Sequence, residues 1–214
     1  NNSNPTLDNL EKSGLKVLLN GDWNEQSPLG KAEWIKFFGA LYGLDAKAKT
    51  IFSTIEKEYQ TTLALAKKAN QKPSVLSGAM YQDQWFVPQG ESWMALFLKE
   101  AQSNYLWADT KGTGSLSLPF ETILEKAQKA EFWIAPGDFS SLQEMNNSNP
   151  HYAKFKAFQN KKVYSYAIHK GAKGGILFFE WSSARPDWVL KDLIAIFHPE
   201  LVPQYTPHFF EKLN

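Results

Sequence analysis

Apolar residues along this chain recur at two different spacings, and the change between them divides it. Between Ser27 and Tyr42, the residues Trp34, Phe37, Phe38 and Leu41 return every three or four positions, the signature of one helix face. Ser27 and Pro28 open that stretch as an N-cap and a first-turn proline, whose missing N–H costs nothing there, and Gly43 closes it. Asp45 caps a longer predicted helix to about Asn70, with Ile51, Phe52, Ile55, Tyr59, Leu63 and Ala66 in register and Pro73 at its limit. Upstream, residues 7–13 read as a helix end stopped by Gly14, and Leu15–Leu19 as an apolar run with the length of a buried strand.

Beyond Pro73 the pattern alternates. Strands are predicted at Ser74–Tyr81, Asn104–Ala108, Glu131–Ala135 and Val163–Ala167. Helices are predicted at Ser92–Gln102, Leu118–Ala130, His151–Gln159 and Pro186–Phe197, with a short one after Pro207. Gln84–Trp93 reads as an aromatic-rich loop. Strand–helix alternation with short links predicts an α/β fold, a mainly parallel sheet with helices on both faces. In such folds ligands sit at the carboxyl ends of the strands.

The chain has 214 residues, enough to bury a real core. Its 8 Trp, 8 Tyr and 15 Phe read as a large aromatic core for the most part, with a handful of rings expected at a ligand surface. Lys+Arg 23 against Asp+Glu 22 leaves a net charge of +1, so no field for nucleic acid is expected. The absence of cysteine excludes disulfides, thiol nucleophiles and Cys-ligated metals. No apolar run reaches the ~18–20 residues of a membrane span. Asn1–Pro5 recurs at Asn146–Pro150, read as chance likeness of two loops, each opening an N-x-S sequon. A chain opening on Asn1 is read as mature or truncated, its export signal removed.

Catalytic signatures are missing: there is no G-x-S-x-G, no phosphate-binding G-x-x-x-x-G-K-[ST] and no H-E-x-x-H. His151, His169, His198 and His208 have no spacing that sets two on one helix face as metal ligands. Three places attract attention instead. Trp85, Phe86 and Trp93 flank Pro88–Gly90, where rings either pack under the turn or form a binding surface. Gly171–Gly175 precedes the apolar run Ile176–Trp181, with glycines that permit close approach to a ligand or a second lobe. Glu121 stands in the first turn of a predicted helix, where dipole stabilisation of ~0.3–1 kcal/mol is the plain reading.

An ordered set of segments then carries a resemblance. It comprises Trp23–Phe38, Lys72–Val75, Trp85–Ser92, Ser117–Glu121, Lys129–Ile134, Phe155–Val163, Arg185–Ile194 and His198–Leu201, together covering nearly all of residues 15–205. This set resembles the C-terminal part of class III periplasmic solute-binding proteins, the cobalamin-, siderophore- and haem-binding components of ABC importers. The resemblance implies two α/β lobes joined by a long stiff helix with the ligand between them. Residues 1–26 would be a remnant of the N-terminal lobe, 27–45 the linking helix and 46–214 the C-terminal lobe. Most of the N-terminal lobe would then lie outside the sequence, leaving an apolar face exposed and self-association possible.

By position in that family, Trp85, Trp93, Phe139, Phe178, Glu180 and Arg185 would face the cleft, the rings covering an apolar or planar ligand and Arg185 pairing a carboxylate or phosphate. Glu121 would dock on an arginine of the membrane permease. The implied protein is no enzyme, carries no cofactor, and captures an iron chelate, haem or corrinoid in the periplasm or as a membrane-anchored lipoprotein. The rival readings are a carboxylate-based hydrolase or a carbohydrate-binding module using the Trp85–Trp93 cleft.

Overall fold

The computed structural model describes residues 4–214. The sequon at Asn1 lies outside them, whereas the one at Asn146 falls in a helix rather than a loop. The chain begins with α1 (Pro5–Lys12), whose first turn is capped by the Asn4 side chain. Residues 15–20 carry no regular structure, and Leu15, Leu18 and Leu19 are exposed. The strand expected there does not form, because no neighbouring strand offers it ladder hydrogen bonds among the described residues.

The helix expected over 27–42 is divided into α2 (Pro28–Glu33) and α3 (Ile35–Leu41), with Trp34 between them. Trp34 keeps a right-handed helical backbone at this junction, with φ −57° and ψ −17°, and its indole N–H donates to the Glu25 carboxylate at 3.0 Å. The longest helix among the described residues is α4 (Asp45–Ala66), 22 residues, with Phe52, Ile55, Tyr59 and Ala66 buried at helical spacing. Around α3 and the start of α4 an apolar surface stays open, including Phe38, Leu41, Tyr42 and Leu44.

From Ser74 onward a mainly parallel sheet forms. β1 (Ser74–Ser77) ends at Gly78, and β2 (Ala79–Tyr81) turns into β3 (Gln84–Pro88). α5 (Trp93–Glu100) follows, capped by the Ser92 hydroxyl, and then come β4 (Asn104–Tyr105), β5 (Ser115–Leu118) and α6 (Phe120–Ala127). β6 (Phe132–Ile134), α7 (Leu142–Ser148), α8 (Lys156–Gln159) and β7 (Val163–Ser165) lead to α9 (Leu177–Trp181), α10 (Pro186–Phe197) and β8 (Glu211–Lys212). The main sheet has the order β4-β1-β6-β7-β8, parallel except for β8 at its edge. Consecutive residues of β6 and of β1 from Val75 on are buried, which requires cover on both faces of the sheet. A separate antiparallel sheet, β2-β3-β5, stands beside it.

Three expectations change here. The strand over 74–81 is broken at Gly78, whose φ of +88° turns the chain from one sheet into the other. A Cβ there would sit 1.9 Å from the Phe86 carbonyl oxygen. The aromatic loop over 84–93 is half strand, with Trp85 and Val87 buried and Gln84 and Phe86 exposed, a period of two. The helix expected after Pro207 is replaced by β8. The buried Asp192 carboxylate accepts the backbone N–H groups of His208, Phe209 and Phe210, and Leu213 donates to Val163, which diverts the groups a helix would need.

Candidate functional site

The carboxyl ends of three parallel strands converge on one cavity of about 520 Å³. Ser77 and Gly78 close β1, Ala135 follows β6 and Tyr166 follows β7, and all four line it. The small antiparallel sheet supplies Tyr81, Phe86, Pro88 and Ser115, and the first turn of α5 supplies Trp93 and Met94. Phe178 and Phe179 enter from α9, followed by Ser182 and Ser183, while α2 contributes Lys31.

The rings form a continuous wall. Tyr166 stacks on Phe178 at 4.9 Å between centroids with planes 13° apart, and Phe178 meets Trp93 edge-on at 6.1 Å. Phe179 and Tyr81 are exposed at the mouth, at 64% and 68%. Burial pushes the Tyr166 phenol above its ordinary range, with Asp138 adding to the shift, so it remains a proton-bearing donor. Ala135 holds φ at +57°, an unusual conformation for a residue with a side chain, at the lip of the cavity. The Ser77 hydroxyl oxygen and the Trp93 indole nitrogen, both shielded from solvent, have no hydrogen-bond partner among the described residues.

Of the residues expected at a ligand surface, Trp93 and Phe178 line this cavity. Trp85 does not: it is fully buried, 5.0 Å from Trp133 and 5.5 Å from Phe155, with its N–H donated to the Ser77 carbonyl. Phe139 is half-buried against Tyr152, outside the cavity lining. Glu180 folds back on the glycine loop, where a Cβ at Gly175 would lie 2.1 Å from its carboxylate oxygen. Those glycines thus make room for a neighbouring side chain rather than for a ligand. Arg185 faces a different recess, paired with Asp187 at 2.5 Å and lying 3.5 Å over the Trp188 ring. Glu121 is exposed in the first turn of α6, as the sequence placed it.

Lys31, Tyr81 and Tyr166 were not anticipated, and Phe179 only as part of the run Ile176–Trp181. Tyr166 was within reach, since it lies at the carboxyl end of the predicted strand Val163–Ala167 and ligands sit at strand ends. Lys31 was not, because its position depends on how α2 packs against α5.

Among the described residues that line the cavity there is no Asp, Glu or His, so a pair of carboxylates for glycoside hydrolysis is lacking. No group of three or more His, Cys, Asp or Glu is placed to hold a metal among the described residues.

A family model described as "Periplasmic binding protein" matches residues 4–167. The chain belongs to the periplasmic binding protein family. Its members bind solutes and are not enzymes. An uncharacterized lipoprotein of Methanocaldococcus jannaschii is 30% identical over 204 residues, which is 94% of this chain and 47% of that protein. The chain spans about half the length of the curated relatives it matches.

Among solved structures, a possible iron-binding periplasmic solute-binding protein from Staphylococcus epidermidis superposes with a TM-score of 0.67 at 18% identity, over 91% of this chain and 70% of that one. IsdE of Staphylococcus aureus, complexed with heme, gives 0.59 at 20% identity, over 80% and 65%. At these identities the likeness establishes the fold of this periplasmic binding protein, an α/β lobe with a mainly parallel sheet.

Proposed function

We propose that this protein is the solute-binding component of an ABC importer, and that it holds an iron chelate, haem or a corrinoid in the cavity at the strand ends. The observation that carries this reading is the aromatic wall of Trp93, Tyr166, Phe178 and Phe179 around a space of about 520 Å³, the size of a drug-like ligand's pocket. Stacked rings suit a large, flat or apolar-faced solute. Among the described residues no group of three or more His, Cys, Asp or Glu could ligate a bare metal, and a metal already wrapped in a chelator needs none.

The lipoprotein relative supports an extracytoplasmic, membrane-anchored location. Among the described residues no helix is long and apolar enough to cross a membrane. In the assembled importer a second lobe would close over the cavity, and α4, on the order of 33 Å long, would supply the stiffness expected of 27–45. Glu121 would meet a permease arginine, so Glu121→Arg should abolish transport without altering solute affinity; unchanged transport removes that role. Self-association through Phe38, Tyr42 and Leu44 would appear as concentration-dependent sedimentation.

The direct test is calorimetric titration of the protein with haem, cyanocobalamin, a ferric trihydroxamate and a ferric tris-catecholate. Saturable binding of one of them, weakened by Tyr166→Ala, is the expected result. Failure of all four to bind overturns this reading of the cavity.

A further inference from the structure

Every hydrogen-bonding side chain on the cavity wall can donate a proton. The hydroxyls of Ser77, Tyr81 and Tyr166 can, as can the Trp93 indole, and Lys31 carries the single formal charge. Lys31 is half-buried, and its ammonium lies 5.1 Å from the centre of the Trp93 ring. No carboxylate lies within ion-pair distance of it among the described residues. The indole face orients the ammonium and leaves its protons free. Ser77 adds a second sign of an absent acceptor: it is 1% exposed, on the cavity wall, and its hydroxyl has no partner among the described residues.

A merely structural Lys31 would lay its methylene stem on Trp93 and send its head to bulk water. Here the ammonium lies over the Trp93 ring, and Lys31 lines a cavity whose wall offers donors and no negative side chain. Low-dielectric walls strengthen the attraction of one unpaired cation for an anion, and they penalise a cationic ligand equally.

We propose that Lys31 selects the solute by charge, so that the cavity takes an anionic ligand in preference to a neutral one of the same size. This rests on the solute-binding reading above and narrows it: haem, with its propionates, and a tris-catecholate ferric complex fit, whereas a neutral trihydroxamate complex and cyanocobalamin do not.

The test compares matched probes by calorimetry: haem against haem dimethyl ester, and the ferric tris-catecholate against the ferric trihydroxamate. Each is titrated into the unmodified protein, Lys31→Gln and Lys31→Arg. The anionic member of each bound pair should be favoured on the order of tenfold or more. Lys31→Gln should erase that preference, Lys31→Arg should keep it, and added salt should reduce it. Circular dichroism of Lys31→Gln separates lost selectivity from lost folding. Equal affinity for both members of a pair, or a preference that survives Lys31→Gln, overturns the proposal while leaving solute binding intact. Failure of every probe to bind removes the solute-binding reading and this proposal together.

Discussion

Trp85 and Phe86 are adjacent in sequence and face opposite sides of the same strand: Trp85 is fully buried against Trp133, while Phe86 is 40% exposed on the cavity wall. The pair should therefore respond oppositely to truncation. Trp85→Ala removes a packed indole from the core and should cost roughly 3–5 kcal/mol of unfolding free energy, read by urea denaturation. Phe86→Ala should leave stability within about 1 kcal/mol and weaken solute binding instead. Equal loss of stability in both would contradict this division.

That division also shows where the sequence was legible. The order of α5, β6, β7 and α10 followed from their apolar spacing, and α10 was bounded correctly by Pro186 and Phe197. β3 was hidden inside the aromatic-rich stretch Gln84–Trp93, which reads as a loop although the alternation from Gln84 to Val87 is present. A ring in a loop has no prescribed side, whereas a ring in a strand does, and so the spacing alone left Trp85 open between the core and the ligand surface. Arg185 and Glu180 were assigned by position alone, and their partners, Trp188 with Asp187 and the Gly171–Gly175 loop, are set by tertiary packing that no spacing rule encodes.

Arg185 offers a second contrast. Its partner Asp187 is 3% exposed, so Arg185→Ala leaves a buried carboxylate without its cation. The expected cost is roughly 1–3 kcal/mol in thermal or urea unfolding. Solute affinity should be unchanged, because Arg185 is outside the cavity lining.

Gly78 joins the two sheets under strict geometry. Gly78→Ala must place a Cβ at φ +88° and 1.9 Å from the Phe86 carbonyl oxygen. Strain of this kind costs roughly 1–3 kcal/mol before any clash is counted. The variant should show a lowered melting temperature by differential scanning calorimetry, and it should distort the cavity at Ser77 and Phe86.

Glu100 ties stability to pH. Burial raises its pKa above the ordinary 4.5, outweighing the hydrogen bond it accepts from the Tyr59 hydroxyl. A carboxyl with a raised folded-state pKa contributes fully below its unfolded value, and that contribution is lost as pH rises through the folded value. In Glu100→Gln this loss should be absent. Urea midpoints measured from pH 4 upward should show the variant gaining on the unmodified protein as pH rises, and a constant difference would refute the linkage.

The buried Asp192 carboxylate has one more consequence, for the order of folding. The segment it grips, His208–Phe210, is followed by β8, which pairs with β7 some 46 positions earlier in the chain (Glu211 against Ser165). Contacts this distant in sequence form late, since the loop between them must be closed first. Until then the outer edge of β7 is an open template for another molecule's strand. Capture of His208–Phe210 by Asp192 thus seals that edge, and the sooner it happens the shorter the time β7 stays open to aggregation.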